Sequence, residues 1–169
     1  MMNLYGAEHH LMVVSDSIDA EEHRHSFVQV TISLTGEFDM EVAGQSLRCP
    51  GIVINSSVIH RLKEAGHPLI LLLIDSASDM AASFSRMLEG QQFHVFPHEV
   101  MRSIRALVQK EYAGIKDPDS YRSFLGQLLR LLGVEQVNPA IVDPRIKEFI
   151  QLLKDCTHFL HYKETFRKF

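Results

Sequence analysis

Two histidines separated by one residue, His23 and His25, are the residues of this chain best suited to chemistry. They open the run His23-Arg24-His25-Ser26-Phe27-Val28-Gln29, which is followed by six residues and then Gly36. Imidazole nitrogens bind divalent transition metals, and imidazoles and amides also hydrogen-bond small polar molecules. The run therefore predicts a small-molecule or metal site.

We expect the residues from 23 to 33 to form one β-strand. Side chains alternate between the two faces of a strand, so the odd-numbered residues share one face and the even-numbered residues share the other. The odd-numbered face is mostly polar and carries His23, His25, Phe27, Gln29, Thr31 and Ser33. The even-numbered face is apolar and carries Val28, Val30, Ile32 and Leu34. This division is typical of a strand that lines the inside of a small ligand-holding barrel.

The rest of the chain divides into a β-rich first half and a helical second half. Short apolar or alternating runs, closely spaced and separated by turn residues, predict a sandwich or barrel up to residue 76. Beyond it, apolar residues at three- and four-residue spacing predict helices, one opening at Pro97, one at Asp117-Pro118 and one at Asp143-Pro144. The fold class we expect is mainly β with C-terminal helices.

Composition and charge exclude several classes of function. The chain has 169 residues, 46% of them hydrophobic and 22% charged, which fits one globular domain. Its net charge is −4, with +3 in residues 145–169 and −7 in the remainder, and an acidic body is a poor surface for nucleic acid. We see no secretory signal and no apolar run long enough to span a membrane, so we expect a cytoplasmic protein without membrane contact. There is no Gly-x-Ser-x-Gly motif, phosphate loop or dinucleotide fingerprint.

The histidine run resembles the first motif of the cupin family. That motif has His-x-His, three or four residues, an acidic residue, six residues and Gly, and here Gln29 stands in the acidic position before Gly36. The second cupin motif ends in Pro-x-Gly-x-x-His, of which the segment before His60 keeps only the histidine. The resemblance implies a cupin jelly-roll barrel.

The wider layout resembles the N-terminal half of AraC/XylS-type transcription regulators. In that family a cupin barrel precedes leucine-rich helices, a linker and a helix that opens the DNA-binding half, as Asp143-Pro144-Arg145-Ile146 does here. The resemblance divides the chain into four parts, which are a barrel with an N-terminal arm over 1–76, a helical dimerisation segment over 77–133, a linker over 134–142 and the start of a truncated helix-turn-helix region or a tail over 143–169.

The resemblance implies an effector-sensing and dimerisation domain that binds a small polar metabolite. The ligand-binding residues that we expect are His23, His25, Phe27, Gln29, Thr31 and His60. Contact with DNA would need the helix-turn-helix region. We expect no enzymatic activity and no cofactor, because Gln29 removes the carboxylate of the cupin metal site. The alternative is a metal-dependent cupin enzyme, an oxygenase or an isomerase, in which His23, His25 and His60 hold a divalent transition metal.

Two segments allow two interpretations each. The helix over 118–133 has a broad apolar arc, which favours either packing on the barrel or a homodimer contact through Leu125, Leu128, Leu129 and Leu132. At the N-terminus, His9 and His10 are expected in solvent, unless Tyr5 to His10 form an arm that closes over the bound ligand.

Overall fold

This computed structural model describes residues 2–63 and 65–134, which contain ten strands and three α-helices. In chain order the elements are β1 (Met2–Ala7), β2 (His10–Ser15), β3 (Ala20–His23), β4 (Phe27–Ser33), β5 (Phe38–Val42), β6 (Gln45–Cys49), β7 (Gly51–Ile54), β8 (His60–Leu62), β9 (Leu69–Asp75), α1 (Asp79–Leu88), β10 (Phe93–Val95), α2 (His98–Glu111), a 3₁₀ turn (Tyr112–Gly114) and α3 (Pro118–Leu131).

The strands form two antiparallel sheets that pack face to face. One sheet has six strands in the order β1-β2-β9-β4-β7-β10, and the other has four in the order β3-β8-β5-β6. An apolar cluster with members from both sheets fills the space between them. The alternation of Phe38, Met40 and Val42, which the sequence predicts, places all three side chains in this cluster.

The central strands β2, β9, β4 and β7 of the six-stranded sheet are buried on both faces. Along β9, Leu69, Leu71 and Leu73 face the other sheet, whereas Ile70 and Leu72 face the helices. A strand buried on both sides needs a continuous apolar run, which is why this segment does not alternate with polar residues. The site described below is therefore held on the inner face of a sheet whose outer face carries the helices.

Helix α3 packs on the outer face of this sheet. It begins at an Asp117–Ser120 capping box with Pro118 in the first turn, as the sequence predicts. The four leucines expected at a dimer contact belong instead to the chain's own core, with exposed fractions of 6% or less; they are Leu125, Leu128, Leu129 and Leu132. They share one buried cluster with residues such as Val28 and Val30 of β4, so these leucines are not on a free surface of the chain.

Two sequence predictions about strands need correction. The expected single strand from 23 to 33 is two strands, because the chain crosses from one sheet to the other between His23 and Phe27. The barrel also extends beyond residue 76, because β10 pairs with β7 at the edge of the six-stranded sheet. This pairing is long-range, so local sequence patterns do not reveal it.

Of the predicted linker over 134–142, all but Val134 lies outside the described residues, and so does the predicted region over 143–169. No helix within 2–63 and 65–134 has the length and apolar character that crossing a membrane requires.

Candidate metal and ligand site

Three imidazoles converge where the two sheets meet. His23 ends β3 and lies opposite His60, the first residue of β8, in the strand register. His25 lies in the crossing between β3 and β4. The ring centres are 4.4 Å apart for His23 and His60, 5.4 Å for His23 and His25, and 5.1 Å for His25 and His60. One nitrogen from each ring lies within 4.8 Å of the other two, which is close enough for a shared ion. We call these three residues the histidine triad.

Backbone carbonyls orient two of the three rings. The Nδ1 atom of His23 lies 2.6 Å from the carbonyl oxygen of Glu21, and the Nδ1 atom of His60 lies 2.8 Å from that of Val58. A carbonyl oxygen only accepts, so each Nδ1 carries the proton and donates it. In a neutral imidazole the Nε2 atom then keeps its lone pair, the form that binds a metal.

Burial keeps two members of the histidine triad neutral. Loss of solvent lowers the pKa of His25 to about 4 and that of His60 to about 3, against an ordinary value of 6.5. The neighbouring imidazoles lower both values further, although a hydrogen bond to Gln29 favours the charged form of His25 and one to Val58 that of His60. At neutral pH the two rings are therefore uncharged and able to bind a cation.

Gln29 lies between the histidines at the position where the cupin motif has a carboxylate. Its side-chain Oε1 is 3.1 Å from Nε2 of His25 and 3.1 Å from Nε2 of His60, and its Nε2 donates to the Thr31 hydroxyl at 3.1 Å. His25, Gln29, Thr31 and His60 are all at most 4% exposed, whereas His23 is half-buried.

The hydrogen bonding of His60 tests whether this group fits a metal ion. Its two ring nitrogens face two acceptor oxygens, the Val58 carbonyl and the Gln29 Oε1, and a neutral ring has only one proton to donate. A cation held by the histidine triad and Gln29 would resolve this meeting of two lone pairs. The alternative without metal is a half-turn of the Gln29 amide, which would place its NH₂ group between the two imidazoles. The residues present thus fit a divalent transition metal, and the expectation of no cofactor is wrong.

The six predicted ligand-binding residues lie together, although not on one strand as expected. The Phe27 ring is 5.6 Å from that of His25, and it is buried with Gln29 and Thr31 on the inner face of β4. His23 and His60 reach the same place from the four-stranded sheet. Their role in ligand binding remains a prediction.

The N-terminal residues differ from both interpretations of the sequence. His10 is only 4% exposed and hydrogen-bonds Tyr121 at 2.7 Å, so it is not in solvent. Tyr5 lies in β1 and packs against the outer, helix-facing core, so this segment does not close over the histidine triad. One sequence signal was available, because His10 continues the alternation of the buried Met12 and Val14.

Comparison with known proteins places the fold. No protein family matches the chain by sequence profile, and no curated protein matches it by sequence. The AraC-like transcriptional activator CuxR matches with a TM-score of 0.58 at 10% identity, over 92% of this chain and 63% of that protein. An RmlC-like cupin from Shewanella frigidimarina matches over 46% of this chain and 78% of its own, at 20% identity and a TM-score of 0.36. The DMSP lyase DddQ from Ruegeria pomeroyi matches over 45% of this chain and 48% of its own, at 15% identity and a TM-score of 0.36.

These findings correct one expectation and confirm another. The prediction that the chain is not an enzyme is contradicted, because the histidine triad brings together three imidazoles that could hold a metal ion. The predicted fold class is confirmed by the sheet order and by the likeness to CuxR: this chain has a cupin, or jelly-roll, fold of antiparallel sheets followed by helices.

Proposed function

We propose that this chain is the effector-sensing domain of an AraC-like transcription regulator. In this proposal the histidine triad and Gln29 hold a divalent transition metal, and a small polar metabolite binds beside it with Phe27 and Thr31. Homodimer formation, a cytoplasmic location and contact with DNA through a helix-turn-helix region belong to the same proposal.

The observation that carries the proposal is how much of the chain shares its fold with an AraC-like activator. The likeness to CuxR extends over 92% of this chain, which is more than the barrel alone can supply. The chain spans 63% of that protein, so we propose for it, and do not infer from the likeness alone, a part in the function of such an activator. Helices packed on the outside of a barrel suit a sensor, because a sensor must pass a signal to an attached domain.

Strand β4 gives a physical route for that signal. Its residues Gln29 and Thr31 face the histidine triad, while Val28 and Val30 on the opposite face belong to the same buried cluster as residues of the helices, including α3. A ligand that shifts β4 by a fraction of an ångström must therefore disturb the packing of α3, since close-packed cores do not absorb such shifts. A ligand would switch such a sensor if it binds one packing arrangement of β4 and α3 more tightly than another.

The test fuses this chain to the helix-turn-helix half of an AraC-like regulator and measures reporter expression with a panel of sugars and small metabolites. A compound that changes expression should also raise the melting temperature of the purified chain. Both responses should disappear in the His25→Ala variant and persist in the Arg24→Ala variant, whose side chain is exposed. Sedimentation should give a particle of twice 19.3 kDa.

The histidine triad itself favours a second candidate, a metal-dependent cupin enzyme. Three imidazoles would leave coordination positions for substrate on a bound metal, as catalytic sites do. The same compound panel separates the two functions. Conversion of a compound by the metal-loaded chain, lost in His25→Ala, identifies an enzyme, whereas binding without conversion identifies a sensor. If no compound binds or reacts, and no metal co-purifies with tag-free protein, both candidates are refuted.

A further inference from the structure

A cavity lies on the opposite face of the six-stranded sheet from the histidine triad. It has a volume of about 320 Å³ and opens where β1 and β2 meet the start of α3. Its walls include Tyr5, Ala7 and His10 from the strands and Tyr121 and Leu125 from the helix. Small-molecule sites have volumes of about 300–1,000 Å³, so this one suits a small ligand.

The floor of the cavity is aromatic and uncharged. The rings of Tyr5 and Tyr121 are stacked with centres 5.3 Å apart and planes 10° apart, and His10 hydrogen-bonds the Tyr121 hydroxyl at 2.7 Å. Burial lowers the pKa of His10 to about 4 and raises the pKa of Tyr121, so both are neutral at pH 7. An apolar ring placed here meets no buried charge.

The rim of the cavity carries two cations, Lys116 and Arg122, and one carboxylate, Asp117. The Asp117 carboxylate accepts hydrogen bonds from the backbone N–H and the hydroxyl of Ser120 as the cap of α3. Arg122 contacts Asp119 at 3.2 Å, in a pair that solvent surrounds. Among residues 2–63 and 65–134, no carboxylate forms an ion pair with Lys116. Lys116 is therefore the cation available to a ligand.

We propose that this cavity binds a small aromatic carboxylate. The ring would lie against Tyr5 and Tyr121, since aromatic rings gain from edge and offset contacts with one another. The carboxylate would face Lys116 at the rim. This site is separate from the histidine triad and does not depend on the function proposed above. Its ligand would contact the first hairpin and α3 together, and so would tie these two elements to each other.

Tyrosine fluorescence provides a direct assay for binding. The chain has no tryptophan and four tyrosines, and Tyr5, Tyr112 and Tyr121 form one cluster of rings beside the cavity. Indole-3-acetate should quench this emission saturably. The neutral analogue indole-3-acetamide should bind about fivefold more weakly, which is the factor for one exposed charge pair.

Matched variants decide between this cavity and other sites. Ala7→Phe, at an exposed strand position whose side chain lines the cavity, should abolish quenching while the circular dichroism spectrum is unchanged. Lys116→Gln should weaken binding about fivefold, whereas Lys110→Gln, on the exposed face of α2, should not. His25→Ala should bind the probe as the wild type does, which separates this proposal from the metal site.

Three results would overturn the proposal. The first is an absence of saturable quenching by indole-3-acetate in the wild-type chain. The second is unchanged affinity in both Ala7→Phe and Lys116→Gln. The third is loss of binding in His25→Ala, which would place the probe in the barrel.

Discussion

Acid should destabilise this protein through His10, and the structure allows the size of the effect to be estimated. The imidazole is 4% exposed and lies between the six-stranded sheet and α3, with Tyr121 as its hydrogen-bond partner. Desolvation, and to a smaller extent the charge of His9, lowers its pKa from 6.5 to about 4. The unfolded chain takes up a proton below pH 6.5 that the folded chain does not take up until about pH 4.

The pH window and the magnitude follow from these two values. Above pH 6.5 both states are neutral at His10, and the residue contributes no pH dependence. Between pH 6.5 and about 4, each pH unit of acidification lowers the free energy of unfolding by about 1.4 kcal/mol. At pH 5 the loss is therefore about 2 kcal/mol, and below pH 4 it levels off at about 3 kcal/mol. A domain of this size is stable by about 5–15 kcal/mol, so this loss is large enough to measure.

The assay compares wild type with His10→Gln, which retains a hydrogen-bonding side chain but does not titrate. Urea unfolding is followed by circular dichroism between about pH 7.5 and about pH 5, where paired carboxylates are still ionised. EDTA keeps the histidine triad free of metal in every sample. His10→Gln is expected to be the less stable protein at pH 7.5, because it loses packing on Tyr121, and to recover about 2 kcal/mol relative to wild type by pH 5.

The control is the same exchange at His98, whose side chain is 65% exposed and contacts Glu37 at 3.2 Å. Its effect should stay within about 1 kcal/mol at every pH, the range for exposed ion pairs. If the difference between wild type and His10→Gln does not change with pH, His10 is not buried in a neutral form and the reasoning is refuted.

Three further substitutions, one of them with a matched control, test the site and the packing. Gln29→Glu should raise the affinity for Ni²⁺ at least about tenfold in calorimetric titration, because a charged acceptor replaces a neutral one beside the imidazoles; unchanged affinity would place the metal elsewhere. Gly51→Ala should cost about 1–3 kcal/mol in urea unfolding, because its new methyl group meets the buried Met101 side chain. Gly36→Ala, which meets nothing within 4 Å, is the matched control and should be near neutral. Leu128→Ala should lower the free energy of unfolding by about 2–5 kcal/mol without changing the sedimentation coefficient, since the side chain is fully buried in its own chain. If the Leu128→Ala variant is instead as stable as the wild type but monomeric, Leu128 lies at a dimer contact.

The alternation of polar and apolar residues predicted much of β4 correctly. Gln29 and Thr31 face the inside of the barrel, and Val28, Val30 and Ile32 face the helices, because alternation along a strand is a local property of the backbone. The start of α3 was also predictable from Asp117-Pro118, since capping needs only residues within one turn.

The crossing between His23 and Phe27 was not predictable in the same way. Alternation has the same period whether a run forms one strand or two, so it does not show that the chain changes sheets there. The pairing of β10 with β7 and the contact of His10 with Tyr121 join residues far apart in sequence. The sequence pattern also showed that the 118–133 helix was apolar without showing that its own barrel covers it.

The sequence by itself determined which side chains the site contains. They are the neighbouring histidines His23 and His25, the amide of Gln29 in the acidic position of the cupin motif, and His60. Only the tertiary structure decided that these groups share one space, because the pairing of β3 with β8 brings His60 beside His23. The structure also decided their chemistry. Burial between two packed sheets makes His25 and His60 weak bases, and a weakly basic imidazole at neutral pH is free to bind a metal ion.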